Sequence, residues 1–170
     1  VDPLSIFTTS SMANFYIRSG DVDQGIALLK KMLLIEPGSV RLHQVLGRTY
    51  AAKRLPLQAL EEYQLIPPHG RNTETRAAIA QAYALAGRHS EALAIVDSLT
   101  GASERGYVDP LRIAEVYDAL GRKVQALDWL ERAHREGSAA IIFLKAEPWF
   151  SDLHSEPRFL FILQAMGLRN

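Results

Sequence analysis

An all-α, right-handed superhelix of about four helical hairpins, closed by a C-terminal cap, is the fold this sequence predicts. Three observations predict it. Tyr16, Tyr50, Tyr83 and Tyr117 recur at intervals of 34, 33 and 34 residues. Around each tyrosine three further registers repeat: a small residue three positions before (Ala13, Gly47, Ala80, Ala114), another nine after (Gly25, Ala59, Ala92, Ala126), and a larger apolar residue four beyond that (Leu29, Tyr63, Val96, Leu130). Turn-forming residues punctuate the periodic stretches. A period of this length marks stacked units, none of which can bury both of its faces alone.

The units fall near 6–39, 40–72, 73–106 and 107–140. In each, the small residue and the tyrosine share one face of a first helix, and the later small residue sits on a second helix. Small residues on both allow close antiparallel approach. Ser19-Gly20-Asp21, Gly87-Arg88 and Gly121-Arg122 turn the hairpins. Pro56 suits the first turn of a second helix, and Asp109-Pro110 reads as an N-cap followed by proline at the first helical position. Pro37-Gly38 ends the first unit and Pro67-Pro68-His69-Gly70 the second, while Thr100 to Gly106 reads as a flexible loop. Gly25 stands where alanine would serve better, weakening its helix by up to about 1 kcal/mol. Residues 141–170 leave the repeat. Ile141 to Leu144, Trp149-Phe150 and Phe159 to Leu163 are too apolar for a solvated tail, so they are expected to cap the array near Trp129 and Leu130, with Ser155 or Glu156 capping a last helix at Pro157.

The 34-residue period and the small–aromatic–small signature resemble the tetratricopeptide repeat family, over about four-fifths of the chain. Three stretches narrow the resemblance: Asp2-Pro3-Leu4-Ser5, Gly121 to Ala133, and Phe143 to Phe150 followed by Glu156-Pro157-Arg158-Phe159 and Met166-Gly167-Leu168. Together they are similar to the C-terminal repeat region of bacterial signalling proteins, where such an array follows a winged-helix, Ser/Thr kinase or nucleotide-cyclase domain. The family usually has Asp-Pro at the two tail sites; here Glu147 and Glu156 precede the prolines, and glutamate is a poorer N-cap. The resemblance implies a protein-binding regulatory module of a larger bacterial protein, in the cytoplasm, or in the periplasm if the parent is membrane-anchored. The chain opens Val1-Asp2-Pro3-Leu4 without an initiator methionine and reads as a fragment. The alternative is a stand-alone scaffold or assembly factor in secretion or envelope assembly.

Composition narrows the chemistry. Lys plus Arg equals Asp plus Glu, 19 each, which argues against a surface built for nucleic acid or anionic membrane. Cysteine is absent, and with it disulfides and thiolate metal sites. No apolar run approaches the roughly 20 residues that span a bilayer. His43, His69, His89, His134 and His154 include no pair at helical ligand spacing, so they read as polar surface or turn residues. Glu61-Glu62 and Glu115 with Asp118 read as solvated or groove-lining carboxylates. No phosphate loop is present. The expectation is no catalytic residue, no cofactor and no metal, and a protein or peptide segment as partner, including a neighbouring domain of the same parent.

First helices line the concave face of such an array. The tyrosine register projects Ser10, Asn14, Arg41, Gln44 and Arg48 into the groove of the first two units, and Glu74, Gln81, Glu115 and Asp118, with Arg112 nearby, into that of the last two. One end is thus expected to be basic and the other mostly acidic. Arg41 and Arg48, two turns apart on one helix, suit an extended acidic or C-terminal segment. The Lys/Asn clamp by which some family members hold chaperone carboxylates is not present: Asn14 matches, but Ser10 and Val45 replace its Lys and second Asn.

Overall fold

The structure, a computed structural model, describes residues 3–101 and 107–168. Those residues form α-helices and short 3-10 segments, with no strand among them. Four antiparallel hairpins follow one another: α1 (Pro3–Ser19) with α2 (Val22–Leu33), α3 (Val40–Ala52) with α4 (Pro56–Gln64), α5 (Thr73–Leu85) with α6 (His89–Gly101), and α7 (Pro110–Ala119) with α8 (Lys123–Arg135). A 3-10 turn, Pro68–Gly70, precedes the third hairpin. After the fourth come two 3-10 helices, Ala139–Ala146 and Pro148–Leu153, and then α9 (Pro157–Ala165). The Thr100–Gly106 connection reaches Gly101 as helix, and residues 102–106 lie outside the described residues.

Local chemistry sets the helix starts. Ser39, Asn72 and Asp109 accept bonds through their side chains from the backbone N–H of Leu42, Thr75 and Leu111, at 3.4, 2.9 and 3.0 Å, satisfying donors left open in the first turn. Pro56 and Pro110 occupy first-turn positions, as their missing N–H and fixed φ allow. Three of the hairpin turns use a left-handed glycine: Gly20, Gly87 and Gly121, at φ 86°, 75° and 70°. The corresponding turn of the second hairpin puts Arg54 there, at φ 60°. A side chain in that conformation costs roughly 1–2 kcal/mol.

The repeating registers are the core. Ala13, Ala80, Ala114, Ala59, Ala92 and Ala126 are fully buried, as are Leu29, Val96 and Leu130. The first helices α1, α3, α5 and α7 pack side by side, and α2 and α4 each pack on the first helix of the next hairpin. The second unit departs from the pattern in a coupled way. Gly47 replaces alanine and Tyr63 replaces an aliphatic residue, and the Tyr63 ring lies where a Gly47 Cβ would be, with Cε1 at 2.5 Å from that point. The missing side chain on α3 is what lets the α4 tyrosine reach across.

The segment after the fourth hairpin covers its open end. Phe150, Leu153, Phe159 and Ile162 are buried in one cluster with Leu130, and each such side chain taken from water is worth about 1.5–3 kcal/mol. Arg158 locks α9 to α8 by donating to Asp128 at 2.6 Å and Glu131 at 2.7 Å. Glu156 occupies the N-cap position of α9, but its side chain makes no cap bond and faces Lys123 at 3.6 Å.

Candidate functional site

The hairpins curve enough for the first helices of the second and fourth units to meet through their side chains on the concave side. Arg48 of α3 donates to both carboxylate oxygens of Glu115 of α7, at 3.2 and 3.0 Å. Arg112, one turn before Glu115, donates to the same carboxylate at 2.5 Å and lies 3.9 Å from Glu74. Both Glu115 oxygens are thereby engaged by arginine.

A further carboxylate enters from the cap. Glu147 sits between the two 3-10 helices in extended backbone, φ −73° and ψ 126°, as a residue before proline prefers. Its side chain makes no cap bond. It reaches instead across the concave face, accepting from Arg18 Nε at 3.2 Å and Nη2 at 3.0 Å and from Arg48 Nη2 at 3.3 Å. An aspartate, one methylene shorter, would not make the same reach. Glu115 and Glu147 are both 2% exposed. Aromatic residues on either side of Glu147 in the chain complete the bracket: the Arg18 guanidinium lies 3.9 Å from the Phe143 ring centre and that of Arg48 5.3 Å from the Trp149 ring.

The electrostatics follow from this pairing. Burial would weaken the charge on Arg48, but Glu115 and Glu147 outweigh it and raise its pKa further. Burial likewise opposes ionisation of Glu115, and Arg112 and Arg48 overcome it, so the carboxyl stays below its usual range. Asp118, one turn beyond, has too little such help, from Arg54 and Lys123. Burial, with Asp152 of the cap adding repulsion, pushes it up to about 7.

Beside this network lies a cavity of about 120 Å³, open to the concave face and lined by Asn14, Arg41, Gln44, Thr75 and Tyr63 together with Arg18, Arg48 and Arg112. Gln44 donates to Thr75, and Thr75 donates to Asn72 at 2.9 Å. Arg41 is exposed, its guanidinium 5.5 Å from the Phe7 ring. The Tyr63 hydroxyl is buried and has no hydrogen-bond partner among the described residues.

Of the residues expected to line the groove, Asn14, Arg41, Gln44 and Arg48 do come together around this cavity. Arg48 is not free, however; it is held by two carboxylates. Gln81 and Glu115 are buried at 2% exposure, and Ser10 is fully buried. Ser10 donates back to the Ile6 carbonyl at 2.8 Å, and Glu115 is drawn inward by its two arginines. The basic and acidic ends therefore do not remain apart: curvature folds one onto the other. His43 is also not a surface residue. It is 7% exposed and bridges Glu62 at 2.7 Å and the Pro37 carbonyl at 2.9 Å. Sequence reasoning missed Arg18, Glu147 and Tyr63. Only the Tyr63–Gly47 exchange against the repeat pattern offered a signal. No cluster of metal-ligating side chains occurs among the described residues, and no described helix is long and apolar enough to cross a membrane.

Comparison with known proteins bears on the architecture. The tetratricopeptide repeat family model matches residues 74–98 and 114–132. The crystal structure of nearly identical TPR-like repeats named for a Podosopora anserina putative kinesin light chain superposes with a TM-score of 0.56, at 18% identity, covering 99% of this chain and 90% of that one. The fold is that of a tetratricopeptide-repeat superhelix. The antiviral innate immune response effector IFIT1 of Homo sapiens, and that of Macaca fascicularis, are each 40% identical over 62 residues, 36% of this chain. The repeat chain matches only 12% of the length of these curated relatives. In this tetratricopeptide-repeat frame, the Arg48–Glu115 pair joins alternate units.

Proposed function

We propose that this tetratricopeptide-repeat array is a non-catalytic protein-binding module that regulates a larger bacterial signalling or transcription-regulatory protein. The observation that carries the binding reading is the concave cavity where Arg41, Asn14 and Gln44 converge without a carboxylate partner for Arg41 among the described residues. An exposed planar cation beside amide groups suits an extended acidic segment. The bacterial signalling context is supported by the resemblance of the Gly121–Ala133 and Phe143–Phe150 stretches and the Glu156-Pro157 motif. The partner in this reading is a polypeptide, a neighbouring domain of the parent included.

The test is a titration with the domain adjoining this array in its parent protein, comparing wild type with Arg41→Glu. Arg48→Glu is unsuitable, because it would set a third carboxylate beside Glu115 and Glu147 and disrupt the fold itself. Arg41 is exposed, so its reversal should leave circular dichroism unchanged while weakening affinity tenfold or more. Unchanged affinity removes the groove reading and moves attention to the convex face.

A further inference from the structure

The first hairpin shows a face that the other three hide. On α1, Thr8, Met12, Phe15 and Ser19 follow one another at i, i+4, i+7 and i+11, one exposed stripe opposite the buried Ser10 and Ile17. Met12 is 47% and Phe15 59% exposed. In the repeat register Met12 corresponds to Leu46 and Ile113, and Phe15 to Thr49, Ala82 and Val116, all of them buried. They are buried where the preceding hairpin packs: the Thr49 methyl lies 3.5 Å from the point a Gly25 Cβ would occupy on α2. Between the α1 stripe and α2 runs a groove of about 440 Å³, bounded by Thr8, Met12 and Tyr16 on one side and Gln24, Ala27 and Leu28 on the other. Phe15 stands beside it, its ring 6.0 Å from that of Tyr16.

Composition sets this face apart from a wetted surface. The 17 residues of α1 include one charged side chain, Arg18, and Glu147 holds it on the concave side. Not one groove residue is Asp, Glu, Lys, Arg or His. By contrast the 13 residues of α8 include Lys123, Asp128, Glu131, Arg132 and Arg135. Methionine and aromatic residues without charge are the composition of an interface core.

Two features decide what the face meets. Phe15 opposes continuation of the array, because the internal hairpins place Thr, Ala or Val at that register to admit the preceding one, and a phenyl group there would overpack. The polar groups of the groove, those of Thr8, Thr9 and Gln24, both donate and accept hydrogen bonds. Each can therefore pair with its own copy. An uncharged surface that matches itself is what a two-fold contact requires, since the same patch lies on both sides. With α2 beside it, α1 presents about 500 Å² per copy and about 1,000 Å² for a pair, the lower limit for a specific contact.

We propose that the open face of the first hairpin is a self-association surface, on which two copies of this chain pair about a two-fold axis, α1 against α1, with Met12 of each meeting at the axis and Phe15 of each covering the groove of the other. The pairing joins the arrays end to end at their first hairpins. It is independent of the binding function proposed above, which uses Arg41.

Sedimentation velocity of the whole 170-residue chain, between about 5 and 500 µM, tests it. A reversible monomer–dimer equilibrium is expected, with no larger species, because a two-fold contact closes on itself. Met12→Glu and Phe15→Glu should each weaken dimerisation about tenfold or more by setting like charges across the axis. Both side chains are exposed in the single chain, so circular dichroism and Tm should be unchanged. Phe161→Glu, at the opposite end and 70% exposed, is the control and should leave the dimer intact. Met12→Glu mixed with Met12→Lys should restore association, because opposite charges then face each other; a merely structural methionine gives no such rescue. A chain that stays monomeric at about 500 µM overturns the proposal. So do growth beyond the dimer, dissociation by Phe161→Glu, a dimer that survives Met12→Glu or Phe15→Glu, and failure of the mixture to associate.

Discussion

Replacing Gly47 by alanine should destabilise the array, and the same replacement should stabilise it in a Tyr63→Leu background. A Cβ at Gly47 would lie 2.5, 2.7 and 2.9 Å from Cε1, Cζ and Cδ1 of the Tyr63 ring. The ring would have to retreat by several tenths of an ångström, out of the buried packing it now makes at 2% exposure. Overpacking of this kind costs about 1–3 kcal/mol. Alanine returns up to about 1 kcal/mol through helix propensity, so a net loss of about 1–2 kcal/mol is expected. With Tyr63→Leu the obstruction is gone and the unit adopts the alanine–leucine pairing of the first and fourth, so Gly47→Ala should then gain about 1 kcal/mol. The coupling between the two sites is thus about 2–3 kcal/mol. Urea midpoints of the four proteins measure it, provided the slopes agree. Gly25→Ala is the control: its Cβ would meet Tyr16 Cβ at 3.4 Å and Thr49 Cγ2 at 3.5 Å, close to ordinary contact, so propensity alone should act. If Gly47→Ala costs as much in the Tyr63→Leu background as in wild type, the ring is not the obstacle and the reasoning fails.

Glu147→Gln should lower stability by about 2–4 kcal/mol, because Arg18 and Arg48 lose a buried charged acceptor; Glu147→Asp should recover only part, and thermal melts of both compared with wild type check this. Asp118 gives a pH dependence. Its folded pKa is raised from 3.8 to about 7, so its favourable contribution is fully present below its unfolded value and lost as pH climbs through about 7. Asp118→Asn should therefore stabilise the protein relative to wild type at pH 8 but much less at pH 5, and an equal difference in Tm at both values would refute the assignment. Arg54→Gly should gain about 1 kcal/mol by relieving the left-handed φ of 60°, read as a raised urea midpoint.

The hairpins were legible because periodicity encodes them directly: residues such as Ala59, Ala92 and Ala126 recur where helices must touch, and all three are buried. The N-cap at Asp109 and the covering role of Phe150 and Phe159 were legible for the same local reasons. The site was legible only to the depth of one helix face. Asn14, Arg41 and Gln44 follow from register, but the meeting of Arg48 with Glu115 depends on how far successive hairpins rotate, which no single-helix projection contains. Glu147 reads in sequence as a weak helix cap, since its backbone position is visible there and its side-chain destination is not. His43 resembles a polar surface residue in sequence because its partners, Pro37 and Glu62, lie on different segments.

The Arg18–Glu147 contact spans 129 residues of sequence. A linear solenoid can shed its terminal hairpins one at a time, each end fraying with little effect on the other. Here the first helix is tied to the segment beyond the last hairpin, so loss of α1 takes one of two arginines from the buried Glu147, and loss of the cap takes the carboxylate from Arg18. The array is expected to melt as one cooperative body, with amide exchange in α1 and in the cap following the same global opening. Forming that tie also requires closure of nearly the whole chain, so it should come late in folding, after the local hairpins are in place.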